Sequence, residues 1–203
     1  VSALTSVTIP SSVTSIGSGA FYGASALTAI TIPDSVTVLG GGAFSRASSL
    51  ESATLGNGIT GISDSLFYGA IKLTSIVIPD TVTSIGSNAF YGTGLTSLVI
   101  PDSVQTIGIY SFYDAPIASL TIGKSLQEWS VHPDYGAFHN ICNTLTSLDI
   151  SALKIPDSAF SGCSKLASLT LGDTVTEIGS SSFSSVSALT SVTIPSSVTS
   201  IGS

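Results

Sequence analysis

Residues 4–26 read LTSVTIPSSVTSIGSGAFYGASA, with apolar side chains at Leu4, Val7, Ile9, Val13, Ile16 and Phe21. Val7-Thr8-Ile9 alternates with period two and is β-branched, which predicts a short strand. Pro10 ends it, because proline cannot donate to a sheet ladder, and the serine pair that follows is turn chemistry. Val13 and Ile16 turn inward again, Gly17 suits a tight bend, and Ala20-Phe21 closes the far side.

The same pattern restarts at Leu27, Leu50, Leu73, Leu95, Ile117, Leu145, Leu166 and, incompletely, Leu189. All eight phenylalanines share one slot: Phe21, Phe44, Phe67, Phe90, Phe112, Phe138, Phe160 and Phe183, at intervals of 22 to 26 residues. Pro33, Pro79, Pro101 and Pro195 repeat the strand breaker, and Gly56, Gly123 and Gly172 replace it. A period in this range marks a solenoid, whose units stack because none can bury its apolar face alone. The expected architecture is a single array over 1–203. One short parallel strand per unit makes a row of nine, about 40 Å long, with a right-handed return. Turns or short 3-10 segments fill the convex side.

The unit L-x-x-V/I/L-x-I-P-x-x-V-x-x-I-G-x-x-A-F-x-G resembles the BspA-like (Treponema pallidum type) leucine-rich repeat. Residues 4–26 and 73–94 (LTSIVIPDTVTSIGSNAFYGTG) lie close to it, and the resemblance covers essentially the whole chain. It implies a leucine-rich-repeat solenoid in a surface or secreted protein with an adhesive role. The family's cysteine slot is filled by Cys163 in SAFSGCSKL, and elsewhere by Ala24, Ala47, Ala70 or Thr93. Cys142 and Cys163 both stand three residues before a unit-opening leucine, hence in one column, one coil apart. That spacing allows a disulfide. Two buried free thiols are the alternative, and the one favoured, because buried cysteine commonly acts as a small hydrophobe.

Charged residues are only 8% of the chain and the net charge is −7. The five basic residues are scattered, so no patch exists to neutralise nucleic-acid phosphates or anionic lipid. Mean hydropathy is high, +0.55, yet no apolar run approaches the ~18 residues of a membrane span. No catalytic residue, cofactor or metal is expected. The sixth unit, Ile117–Thr144, is long at 28 residues and holds the only tryptophan and both histidines. Trp129 takes a core isoleucine slot. His132, Asp134 and Tyr135 fall in an inserted bulge and are candidate partner contacts. His132, Asp134, His139 and Cys142 match no standard zinc spacing.

Tyr68, Tyr91 and Tyr113 follow the phenylalanine row and form a second candidate contact, or else pack along neighbouring coils and shield that row. The outward strand row is Thr8, Thr31, Thr54, Val77, Val99, Thr121, Asp149, Thr170 and Thr193, beside a row of serines. Single aspartates at successive turns, such as Asp34, Asp80 and Asp102, supply too few oxygens for calcium and suit turns instead.

Residues 186–203 are identical to 1–18. That identity suggests duplication with a super-period of eight units, and an array that continues in both directions or stacks end to end. The expected function is extracellular or cell-surface recognition, adhesive and non-enzymatic, with matrix or cell-surface proteins as partners. The alternative is a structural block of an extracellular filament or coat, with copies of the chain as partners.

Overall fold

The computed structural model describes residues 1–129, 136–138 and 140–203. The chain is a parallel β-solenoid in which successive units stack as coils. Two columns of strands run along it where one was expected. The expected column holds β2 (Ala29–Thr31), β4 (Ser52–Thr54), β7 (Ser97–Ile100), β9 (Ser119–Ile122), β11 (Ser147–Ile150) and β13 (Ser168–Leu171). β2 pairs with β4, and β7-β9-β11-β13 form a four-stranded sheet. Six strands form here rather than nine, since neither 7–9, 76–78 nor 192–194 joins a ladder.

The unexpected column holds the nine. Its members are two residues each: β1 (Ser15–Ile16), β3 (Val38–Leu39), β5 (Gly61–Ile62), β6 (Ser84–Ile85), β8 (Thr106–Ile107), β10 (Glu128–Trp129), β12 (Lys154–Ile155), β14 (Glu177–Ile178) and β15 (Ser200–Ile201). Every pairing in both columns is parallel, with like slots in register, such as Ser84↔Thr106 and Ile85↔Ile107. From β1 to β14 the isoleucines point inward and are buried, whereas Ile201 in β15 is exposed. Trp129 takes its isoleucine slot opposite Ile107 and is 7% exposed. The one helical element among the described residues is a 3-10 turn, Ile141–Asn143.

The column is interrupted between β3 and β5 and again between β10 and β12. In most other units a glycine follows the inward residue and its N–H donates to the preceding coil, as in Gly40 to the Ile16 carbonyl and Gly86 to that of Ile62 (2.8 and 2.7 Å). In the third unit the order is Gly61-Ile62-Ser63, and the Ser63 hydroxyl donates to the Leu39 carbonyl instead.

The third side carries the phenylalanines. Phe21 sits between two residues of left-handed backbone, Gly19 (φ 65°) and Gly23 (φ 69°), and Phe112 between Tyr110 (φ 55°) and Asp114 (φ 56°); Phe44, Phe67, Phe90, Phe160 and Phe183 repeat the arrangement. This double bend drives the ring inward and aims the Phe N–H along the stack. Phe67 donates to the Ala89 carbonyl and Phe90 to that of Ser111, both at 2.8 Å. Phe44, Phe67, Phe90 and Phe112 are fully buried. From Phe21 to Phe138 neighbouring rings stack face to face at 5.2–5.8 Å. At the long sixth unit Trp129 takes over, meeting Phe138 and Phe160 at 5.8 Å each, and Phe160 stacks on Phe183. Phe21 and Phe183 are only half-buried.

Side-chain hydroxyls explain the low charge content. Ser35 donates to the Val13 carbonyl and Thr81 to that of Ile59 (both 2.8 Å), and Thr146 to that of Ala118 (3.0 Å). Each adds an uncharged link to a carbonyl of the preceding coil.

Candidate interaction surfaces

The turn aspartates act as staples between coils. Asp34, Asp64 and Asp157 each accept the backbone N–H of the next coil's turn, from Asn57, Ser87 and Ser180, at 2.7 Å. Asp102 accepts from Lys124 N–H at 3.0 Å and pairs with its ammonium at 3.2 Å. The backbone hydrogen bond and then the side-chain one hold the Asp102 carboxyl below the usual carboxylate range. A carboxylate whose folded pKa is depressed stabilises the fold above its unfolded value, about 3.9, and the contribution is lost as pH falls through the lower folded value. The stability difference between the native chain and Asp102→Asn should therefore be constant near neutrality and shrink below about pH 4. Urea midpoints measured against pH check this.

Tyr68, Tyr91 and Tyr113 come together as a ladder. Tyr91 stacks on Tyr68 and on Tyr113, each with centroids 4.7 Å apart and planes within 15°. All three are half-buried. The Tyr91 phenol is pushed up, first by burial and then by Tyr113, Tyr68 and Asp114. Both expectations for this row hold in part, because the rings shield the coils beneath yet keep one edge in solvent. Both faces of Tyr91 are occupied by neighbouring rings, so the centre of the row offers edges and hydroxyls. That suits hydrogen bonding to a protein partner better than stacking against a sugar ring, which needs a free face. Sequence reasoning missed Tyr110, which lies edge-on to Tyr91 and Tyr113 (6.4 and 5.3 Å). The signal was a bulky residue where other units place Gly42, Ser65 or Asn88. It also missed Arg46, whose guanidinium lies 5.7 Å over the exposed ring of Tyr22.

His132, Asp134 and Tyr135 lie outside the described residues, as do His139 and the bulge itself. Among the described residues no cluster of His, Cys, Asp and Glu could hold a metal ion, and no helix is long and apolar enough to cross a membrane.

Cys142 and Cys163 are joined by a disulfide, with Cα atoms 4.2 Å apart. The preference for free thiols is thus overturned. Unlike a buried thiol pair, Cys142 is only half-buried, and column stacking brings it directly over Cys163. Thiol titration of the denatured, unreduced protein should find none. Two thiols per chain would exclude the bridge.

The outward face of the long-strand sheet is open. Ser97, Ser119, Ser147 and Ser168 lie in one row, and Val99, Thr121, Asp149 and Thr170 in the next. Val77, in the same slot one coil earlier, is 81% exposed and Val99 59%.

Comparison with known proteins agrees with this geometry. The family model described as BspA type Leucine rich repeat region matches residues 1–118 and 83–203, in 6 copies. Among solved structures, a leucine-rich repeat protein from Bacteroides ovatus is 25% identical, covers 96% of this chain and 68% of its own, and gives a TM-score of 0.60. The T. pallidum leucine-rich repeat protein is 24% identical over 87% of this chain and 72% of its own, with a TM-score of 0.59. One from Eubacterium ventriosum is 24% identical, with a TM-score of 0.57; the match takes in 96% of this chain and 62% of that one. Among curated proteins none matches the chain. With the family model spanning both halves and the repeat visible coil by coil, the chain belongs to the BspA-type leucine-rich-repeat family.

Proposed function

We propose that the chain is a non-catalytic recognition module that acts outside the cell or at its surface, holding matrix or cell-surface proteins against its solenoid. The observation that carries this is the open sheet face. From β7 to β13 it is continuously laddered, rich in hydroxyls and nearly uncharged, and exposed Val99 interrupts it, with exposed Val77 on the coil before. Membership of the repeat family supports the same role, since stacked repeats present long continuous binding surfaces. The test is binding of the purified chain to a panel of purified matrix proteins, repeated with residues 131–136 deleted. Saturable binding to at least one supports the proposal, and none to any member removes it. Binding unchanged by the deletion shifts the contact from the bulge to the described surfaces.

A second role, as a structural unit of an extracellular filament or coat, is favoured by one observation. Residues 186–203 repeat 1–18, and they are seated on the coil before them, with the Gly202 N–H donating to the Ile178 carbonyl at 2.8 Å. In a second copy stacked end to end, residues 1–18 would take this seat in place of residues 186–203, which have the same sequence. Sedimentation that stays monomeric at high concentration would sink this role.

A further inference from the structure

The outward strand row is threonine in six of nine units, and its three exceptions, Val77, Val99 and Asp149, cluster between the fourth and seventh. They are exposed on the structure, at the highest and among the highest values of any large apolar residue for the two valines. Val99, Thr121 and Asp149 follow one another in strict register across β7, β9 and β11. A shallow groove runs beside them at the carboxyl ends of these strands, walled by Val99 and bordered by Asp80, Asp102 and Asp149. Pro101 and Gly123, which fill one slot of successive units, line it.

The charge around the groove is one-sided. The turn row contributes a single cation, Lys124, and Asp102 takes it at 3.2 Å. Among the described residues Asp80 and Asp149 have no ion-pair partner. Neither carboxylate is a turn staple of the kind made by Asp34, Asp64 and Asp157. Two unpaired carboxylates beside two exposed valines are thus left without structural work.

We propose that this part of the sheet face docks an extended, cationic polypeptide segment lying along the stack, with an apolar side chain on Val77 and Val99 and lysine or arginine on Asp149 and Asp80. Coil spacing of about 4.8 Å puts Asp149 roughly 10 Å from Val99. An extended chain, at about 3.4 Å per residue, bridges that distance within three to four residues. Complementary charge fixes orientation and speeds encounter, and the valines supply the apolar contact. The proposal rests on the recognition role above and names the partner's chemistry.

The test uses the full chain and a capped heptapeptide with valine at positions 1 and 3, lysine at 5 and 7 and serine between, so that valines and lysines share one face of the extended chain. Backbone amide shifts in the NMR spectrum should move at 97–100, 119–122 and 147–151. A peptide with glutamate for lysine should leave them still, and one with serine for valine should bind more weakly. The variant Val77→Thr, Val99→Thr, Asp149→Thr restores the threonine carried by the rest of the row. All three positions are exposed, so it should melt like the native chain, yet bind the valine-lysine peptide about tenfold more weakly or worse. Undiminished binding, or shifts spread equally to Asp34, Asp64 and Asp157, would overturn the proposal. The variant is also assayed on the matrix panel. Panel binding without any peptide binding by the native chain overturns the groove and leaves recognition standing. Peptide binding at the groove without panel binding does the reverse.

Discussion

Phe90→Ala is expected to lower the free energy of unfolding by about 3–5 kcal/mol. Phe90 is fully buried and stacked between Phe67 and Phe112, at 5.6 and 5.2 Å. Truncation removes the ring's transfer free energy and opens a void that both neighbours line. Those neighbours cannot collapse into it, because the Phe67 and Phe112 N–H groups are tied to the Ala89 and Ala137 carbonyls of the following coils. Phe21→Ala should cost markedly less, since Phe21 is half-buried and has one stacked neighbour, Phe44. Urea unfolding followed by circular dichroism measures both. Equal losses at the two positions would show that the rings do not act as a continuous spine. A lowered slope in the central variant would show that the halves on either side unfold separately, as nearest-neighbour coupling allows.

Gly108→Ala is expected to cost about 1–3 kcal/mol or more, although alanine ordinarily suits a backbone better than glycine. A Cβ built at Gly108 meets the Ser87 nitrogen at 2.6 Å, which is backbone and cannot step aside. Gly17 fills the same slot in the first coil, and a Cβ there meets nothing within 4 Å. Gly17→Ala should therefore stay within about 0.5 kcal/mol of the native chain. The duplicated sequence makes the comparison sharp. Gly202 is the counterpart of Gly17 in an identical stretch, yet its Cβ would meet the Ser180 nitrogen at 2.4 Å. Thermal midpoints of the pair decide the matter, and similar midpoints would refute the close-approach role.

That contrast also shows what the sequence can and cannot say. Unit boundaries and the phenylalanine row were legible, because a large buried residue in a fixed slot is a property of each unit alone. The glycine was legible as a slot but misread as a bend, because the obstacle belongs to the coil next to it. The second strand column was invisible for a related reason. A pair such as Ser84-Ile85 or Glu128-Trp129 carries too few residues for any periodicity, and only bonding between coils makes it a strand. The tyrosine slot could be read, but not the ring orientation, which follows from the 4.7 Å stacking. The cysteine column was plain, whereas the oxidation state was not written in it.

Because each coil is bonded only to its two neighbours, tension applied at the ends would strip the array one turn at a time. Each lost turn of 23 residues would pay out about 80 Å of slack. The sulfur–sulfur link from Cys142 to Cys163 spans 21 positions, nearly one turn, so the chain it encloses could not be drawn taut. An array built this way would yield gradually at either end and keep a covalent knot near its seventh turn until a reductant arrived.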